Sequence, residues 1–278
     1  MPAVTTYDSI GWVMFLALLL PGLPGDPATP STRGPSPETI QAFDDHIRAT
    51  ESRLQSQLQG ENGYLWANTP ERRRSARQGA VTCEPGSRTG EIKVPHGLVH
   101  DWVGSVFIPN ATVDDVLSLV QNYDHHKDFY KPEVIDSQTL SRNGDDFQIR
   151  LRLLKKKVIT VVLETEHDVH YRQLAPGWWQ SRSYSTRIAE IQDYGGPRQR
   201  ELPAGQDRGF LWKLNSYWTF RERDGGVYVE CEGVSLTRSV PAGLGWLIEP
   251  IVRSLAKDSL VNTLRGTQAA VLKTKLPR

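Results

Sequence analysis

Residues Phe210–Leu236, FLWKLNSYWTFRERDGGVYVECEGVSL, restrict the fold more than any other stretch of the chain. Asp224-Gly225 supplies the positive-φ pair that a tight two-residue turn requires, and the residues on either side alternate with a period of two. Pairing across that turn sets Trp218 opposite Cys231 and Phe220 opposite Val229. One face then carries Phe210, Trp212, Leu214, Ser216, Trp218 and Phe220 with Val227, Val229, Cys231, Gly233 and Ser235. The other carries Lys213, Arg221, Glu230 and Glu232. The aromatic face must point inward, so an antiparallel sheet covered on that face is required.

The chain upstream supplies the other strands. HGLVHDWVGSVFIP places Leu98, His100, Trp102, Gly104, Val106 and Ile108 on one side and ends at Pro109. Thr112 and Asp115 then form a capping-box pattern ahead of Val113, Val116, Leu117 and Val120, one face of a helix. FQIRLRLL alternates with Phe147, Ile149, Leu151 and Leu153 on its apolar face. VITVVLETEHDVHY puts Ile159, Val161, Leu163, His167, Val169 and Tyr171 together, provided no bulge intervenes. WWQSRSYSTRIAEI is ambiguous because each face carries an arginine, Arg182 or Arg187, and Gln192–Arg208 reads as a long turn-rich loop.

After these strands comes one long helical pattern, Val240–Leu272, which must cover their apolar face. Leu244, Leu247, Ile248, Ile251 and Leu255 share one face of it, whereas Leu260, Val261, Leu264 and Val271 cluster nearly opposite. This predicts a break near Ala256–Ser259, with Asp258 or Ser259 capping a second piece and Pro250 kinking or starting the first. On that reading Leu244–Leu255 is a separate gate.

The N-terminal third is less regular. Ile10–Leu20 is too short to span a bilayer as a helix and has the length of a signal-peptide core, but no basic residue precedes it. Export to a periplasm or the outside is expected if this run is a signal; otherwise the chain is cytoplasmic. Pro21–Pro37 reads as a linker, and residues 38–60 as an amphipathic helix capped by Ser36 and carrying Ile40, Phe43, Ile47, Leu54 and Leu58. Residues 61–95 read as an irregular connector whose Arg72, Arg73, Arg74 and Arg77 form a solvated face.

With 33 basic and 32 acidic residues in 278, the net charge of +1 gives no electrostatic case for a nucleic acid partner. Cys83 and Cys231 lack metal-ligand spacing, and adjacent His125 and His126 do not place two imidazoles on one helical face. No metal or cofactor is implied. Hydrolase, zinc-protease, P-loop and dinucleotide fingerprints are absent from the sequence.

Strand, helix, helical turn, about five antiparallel strands and a final helix is the order of the helix-grip fold. The segments VFIPNATVDDVLSLVQNYDHHKDFYKPEV and VPAGLGWLIEPIV, with the hairpin ahead of the second, resemble the START-like superfamily of polyketide cyclases, lipid-transfer domains and coenzyme-Q-binding proteins. The resemblance covers about Val99–Leu272. It implies an α+β helix-grip fold, a curved antiparallel sheet wrapped around the C-terminal helix, with an N-terminal leader and extra helix, and a ligand-binding domain over 96–273.

It further implies a hydrophobic small-molecule ligand (lipid, quinone or polyketide-like), with transient membrane contact during exchange. Inward positions expected to line the pocket are Leu151, Val161, Tyr184, Trp212, Trp218, Ile251 and Leu255, with His167, Tyr171 and Arg182 as its polar groups. No catalytic residue is assigned. A cyclase, dehydratase or hydrolase using the same cavity is the alternative, and a cell-envelope interaction module docking through the 38–60 helix is the second.

Overall fold

A computed structural model describes residues 34–59, 65–156, 160–203, 206–239 and 245–275, with the side chains of the last segment described from Leu255 onward. The apolar run Ile10–Leu20, the linker up to Arg33 and segment 240–244 lie outside the described residues.

Among the described residues there are ten strands: β1 (Thr82–Pro85), β2 (Glu91–Val94), β3 (Gly97–Pro109), β4 (Val134–Asn143), β5 (Asp146–Lys156), β6 (Thr160–Ala175), β7 (Trp178–Gln192), β8 (Arg200–Glu201), β9 (Lys213–Arg223) and β10 (Gly226–Arg238). All pairs are antiparallel in the order β1-β3-β10-β9-β7-β6-β5-β4, with β2 also on β3 and β8 on β7. Five α-helices among the described residues accompany the sheet: α1 (Pro37–Leu58), α2 (Pro70–Arg77), α3 (Val113–Val120), α4 (His126–Phe129) and α5 (Gly245–Lys275).

The Asp224-Gly225 turn has φ of 58° and 78°, and it sets the expected register, Trp218 opposite Cys231 and Phe220 opposite Val229. Thr112 and Asp115 form the full capping box of α3, each side chain accepting the other residue's backbone N–H.

The predicted break in the last helix does not occur, and the separate gate goes with it: α5 runs unbroken from Gly245 to Lys275 through Pro250 and Lys257. Ser259 does not cap a new helix. Its Oγ donates back to Leu255 O at 2.7 Å, and Thr263 and Thr267 repeat the pattern on Ser259 O and Thr263 O at 2.9 Å each. Leu260, Leu264 and Val271 pack into the core beside Val106 and Ile108 of β3, and Leu255 and Leu260 border a cavity.

Residues 61–95 are not an irregular connector either. They hold a 3₁₀ turn (Trp66–Asn68), α2, β1 and β2, and both strands pair only with β3. The domain accordingly does not begin at 96, because Thr32–Arg278 forms one compact unit. Within the former connector Arg72 has a defined place, its guanidinium over the Trp66 ring at 4.1 Å and paired with Glu84 at 2.5 Å.

The sheet buries both faces. The inner face packs on α3 and α5 through Val106, Ile108, Val116, Phe147, Phe220 and Leu264. The outer face is covered by α1, whose Phe43 joins Val99, Tyr217, Val234 and Leu236, with Ile40, Ile47 and Leu54 partly buried against them. Each such side chain contributes about 1.5–3 kcal/mol of burial, so α1 is part of the folded unit.

Candidate functional site

Between the inner face and α5 lies a cavity of about 670 Å³. Its origin is visible in the register. One row of inward residues crosses six strands as Phe147, Val169, Ser183, Ser216, Gly233 and Trp102. The large members lie at the ends and the small ones in the middle. A Cβ built on Gly233 would meet no atom within 4 Å, so the sheet floor there faces open space. Ile149, Leu151, Leu163, Trp218 and Phe220 supply apolar walls, and Leu255, Ala256 and Leu260 of α5 form the roof.

Polar groups are few and mostly engaged. The Tyr123 and Tyr171 hydroxyls bond each other at 2.8 Å under α3, and burial pushes both phenols above their usual range. Trp218 Nε1 donates to Ser216 Oγ at 3.1 Å. His100 Nε2 lies 3.1 Å from Thr237 Oγ1, and its Nδ1 lies 4.0 Å from Glu91. At the α5 end, Lys155 pairs with Glu133 and reaches Ser259 Oγ, and Asn262 Nδ2 donates to Glu133 at 2.7 Å. Burial pulls the Lys155 ammonium down to about 8, opposed by Asp258. Lys131, with its side chain 70% exposed, marks where this wall meets solvent.

His167 differs from the rest. It is 4% exposed, its Nδ1 lies 3.4 Å from Ser183 Oγ, and its Nε2 has no hydrogen-bond partner among the described residues. Burial lowers its pKa to about 4, so the ring is neutral near pH 7. A general base works best with a pKa near the operating pH. His167 is far from that, and the raised Tyr171 phenol is a hydrogen-bonding group rather than a base.

Of the residues expected to line the pocket, Leu151, Val161, Trp218, Leu255, His167 and Tyr171 border this cavity. Tyr184, Arg182 and Trp212 do not. On β7 it is Ser181 and Ser183 that face inward, opposite Trp218 and Ser216, which turns Arg182 and Tyr184 to the outer face. There the Tyr184 hydroxyl donates to Glu51 Oε1 of α1 at 2.6 Å.

Trp212 precedes β9 at a bend that breaks the alternation, so its ring packs with the outer cluster and its Nε1 donates to Asp207 at 3.2 Å. The Ile251 side chain lies outside the described residues. Wall residues that the sequence reading did not assign to the pocket are His100, Trp102, Ser183, Gly233, Lys155 and Glu133. The available signal was the alternation of serine and glycine among aromatics on strands that must pair.

The chain matches no family model, and no curated protein matches it. Solved structures similar to it include a START superfamily protein from Mycobacterium smegmatis (14% identity, covering 65% of this chain and 99% of that one, TM-score 0.40). Others are the Zhui aromatase/cyclase from Streptomyces sp. R1128 (13%, 64% and 96%, TM-score 0.43) and a STAR-related lipid transfer protein from Xanthomonas axonopodis (17%, 66% and 98%, TM-score 0.41). With α3 and α4 between β3 and β4, a consecutive antiparallel run from β4 to β7, and α5 laid on the inner face, the chain has an α+β helix-grip fold.

Proposed function

We propose that this protein binds a hydrophobic small molecule in the cavity between its sheet and α5, as a carrier or store rather than a catalyst. The observation that carries this reading is the row Ser183, Ser216, Gly233. Three neighbouring strands place small residues side by side on the cavity floor, and at Gly233 an added Cβ would meet no atom within 4 Å, while the surrounding wall is apolar. A core under selection for stability alone gains by filling such space, since dispersion contacts are lost around a void. A volume of about 670 Å³ also falls in the range of small-molecule sites.

The test uses N-phenyl-1-naphthylamine, a neutral apolar fluorophore. Wild-type protein is expected to bind it at one site per chain, and Gly233→Leu, whose side chain would project into the cavity, is expected to abolish that binding with the circular dichroism spectrum unchanged. Equal binding by a folded Gly233→Leu protein overturns the reading. Native mass spectrometry of the wild-type protein from its host then identifies what co-purifies.

A further inference from the structure

Resting on the cavity reading above, we infer that the bound molecule carries one neutral oxygen function, a hydroxyl or a carbonyl, which hydrogen-bonds to Nε2 of His167. Among the described residues His167 is the ionisable cavity side chain whose buried ring atom is left without a protein partner and which has no charged group holding it. A buried polar group left unmatched costs about 1–3 kcal/mol, and a purely hydrocarbon ligand would seal that cost in.

The geometry fixes the class of group. Ser183 Oγ lies on the Nδ1 side. If the serine hydroxyl donates to Nδ1, Nε2 carries the proton and donates to a carbonyl; in the other tautomer Nε2 accepts from a hydroxyl.

A carboxylate fits poorly. The neutral imidazole offers it no charge, and the cations that border the cavity are engaged: Lys155 with Glu133, Arg208 with Glu190, Lys131 with Asp128, and Arg238 in an interaction of its own. An anionic head placed beside His167 would be desolvated without compensation. The ring itself stands on β6 between Ile149 on β5 and Ser185 on β7, so its position is set by two ladders rather than by a loop.

The experiment measures displacement of N-phenyl-1-naphthylamine by 1-dodecene, 1-dodecanol, 2-dodecanone and dodecanoate, on wild-type, His167→Met and His167→Gln proteins. The methionine variant is expected to weaken dodecanol and dodecanone by roughly three- to tenfold relative to dodecene, each displacement being referred to the fluorophore affinity measured on that same variant. Glutamine, which keeps a neutral hydrogen-bonding group, is expected to restore part of that loss.

Equal weakening of dodecene and dodecanol, no change in any of them, or dodecanoate binding tighter than dodecanol to the wild type overturns the inference. If the methionine variant does not fold, His167→Leu takes its place with the same expected and overturning results. Absence of fluorophore binding to the wild type overturns the cavity reading instead, so the two failures are separable.

Discussion

Gly104 and Gly233 lie on the inner face of adjacent strands, Gly104 opposite Cys231 and Gly233 opposite Trp102, yet a side chain would do opposite things at the two positions. At Gly104 a Cβ would stand 2.7 Å from Leu264 Cδ1 and 3.0 Å from Thr82 O; at Gly233 it would touch nothing within 4 Å. One glycine lets α5 close onto the sheet, and the other keeps the sheet open beneath it.

Gly104→Val is therefore expected to destabilise the fold by about 1–3 kcal/mol, because it overpacks the contact with Leu264. Gly233→Val should leave stability unchanged or slightly raised, since a β-branched residue suits a strand better than glycine. Urea unfolding of the two variants beside wild type checks this. Equal losses at both positions would show that Gly233 is also a packing contact.

Two buried histidines give the stability a defined pH dependence. Burial holds His126 and His167 at about 4, below the ordinary 6.5. As pH falls the unfolded chain takes up these protons first, so stability fully present above pH 6.5 is lost progressively down to about pH 4. Glu230 and Glu232, raised by burial to about 7, act with the opposite slope between pH 4.5 and 7.

Subtraction isolates one group. Relative to wild type, His167→Met should gain about 3 kcal/mol between pH 6.5 and pH 4, read as diverging urea midpoints. Parallel curves would mean that His167 is already charged in the fold.

How much of this was legible in the sequence depends on what fixes each strand. The Asp224-Gly225 turn dictates register, so the hairpin and its inward face could be read to the residue. Nothing comparable fixes β7, whose inward residues are serines and whose outward face carries both Arg182 and Tyr184. Polarity alone therefore pointed the wrong way. Trp212 follows alternation only up to the bend at which β9 starts.

A break follows from periodicity only if both apolar stripes bury against one surface, whereas Leu264 and Val271 meet the core and Leu255 and Leu260 border the cavity. The four-residue strands β1 and β2 are too short to show a period. A cavity is harder still to read, because it arises from small residues aligned across strands and appears only once every register is known.

Placing Tyr184 on the outer face has its own consequence. Its hydroxyl and that of Tyr217 both donate to Glu51 Oε1, at 2.6 and 2.9 Å, fastening α1 to the sheet. Tyr184→Phe should cost about 0.5–1.5 kcal/mol and leave the affinity for N-phenyl-1-naphthylamine unchanged. Fluorescence titration and urea unfolding of one preparation give both numbers. A loss of affinity without a loss of stability would return Tyr184 to the pocket.

The last relationship ties the roof to the wall. Lys155 of β5 pairs with Glu133 ahead of β4 and reaches Ser259 of α5, while Asn262 of α5 also donates to Glu133. Both charged side chains are 21% exposed, so the pair is partly shielded from solvent and screening reduces it less than at the open surface. Removing one partner leaves the other charge half-buried, which is worse than removing both. Lys155→Met and Glu133→Leu should each cost about 1–2 kcal/mol, and the double variant less than their sum by about 1 kcal/mol. Since the pair anchors α5 over the cavity, release of N-phenyl-1-naphthylamine in stopped-flow mixing should be faster in Lys155→Met than in wild type. Additive stabilities together with an unchanged release rate would show that the helix is held by its apolar face alone.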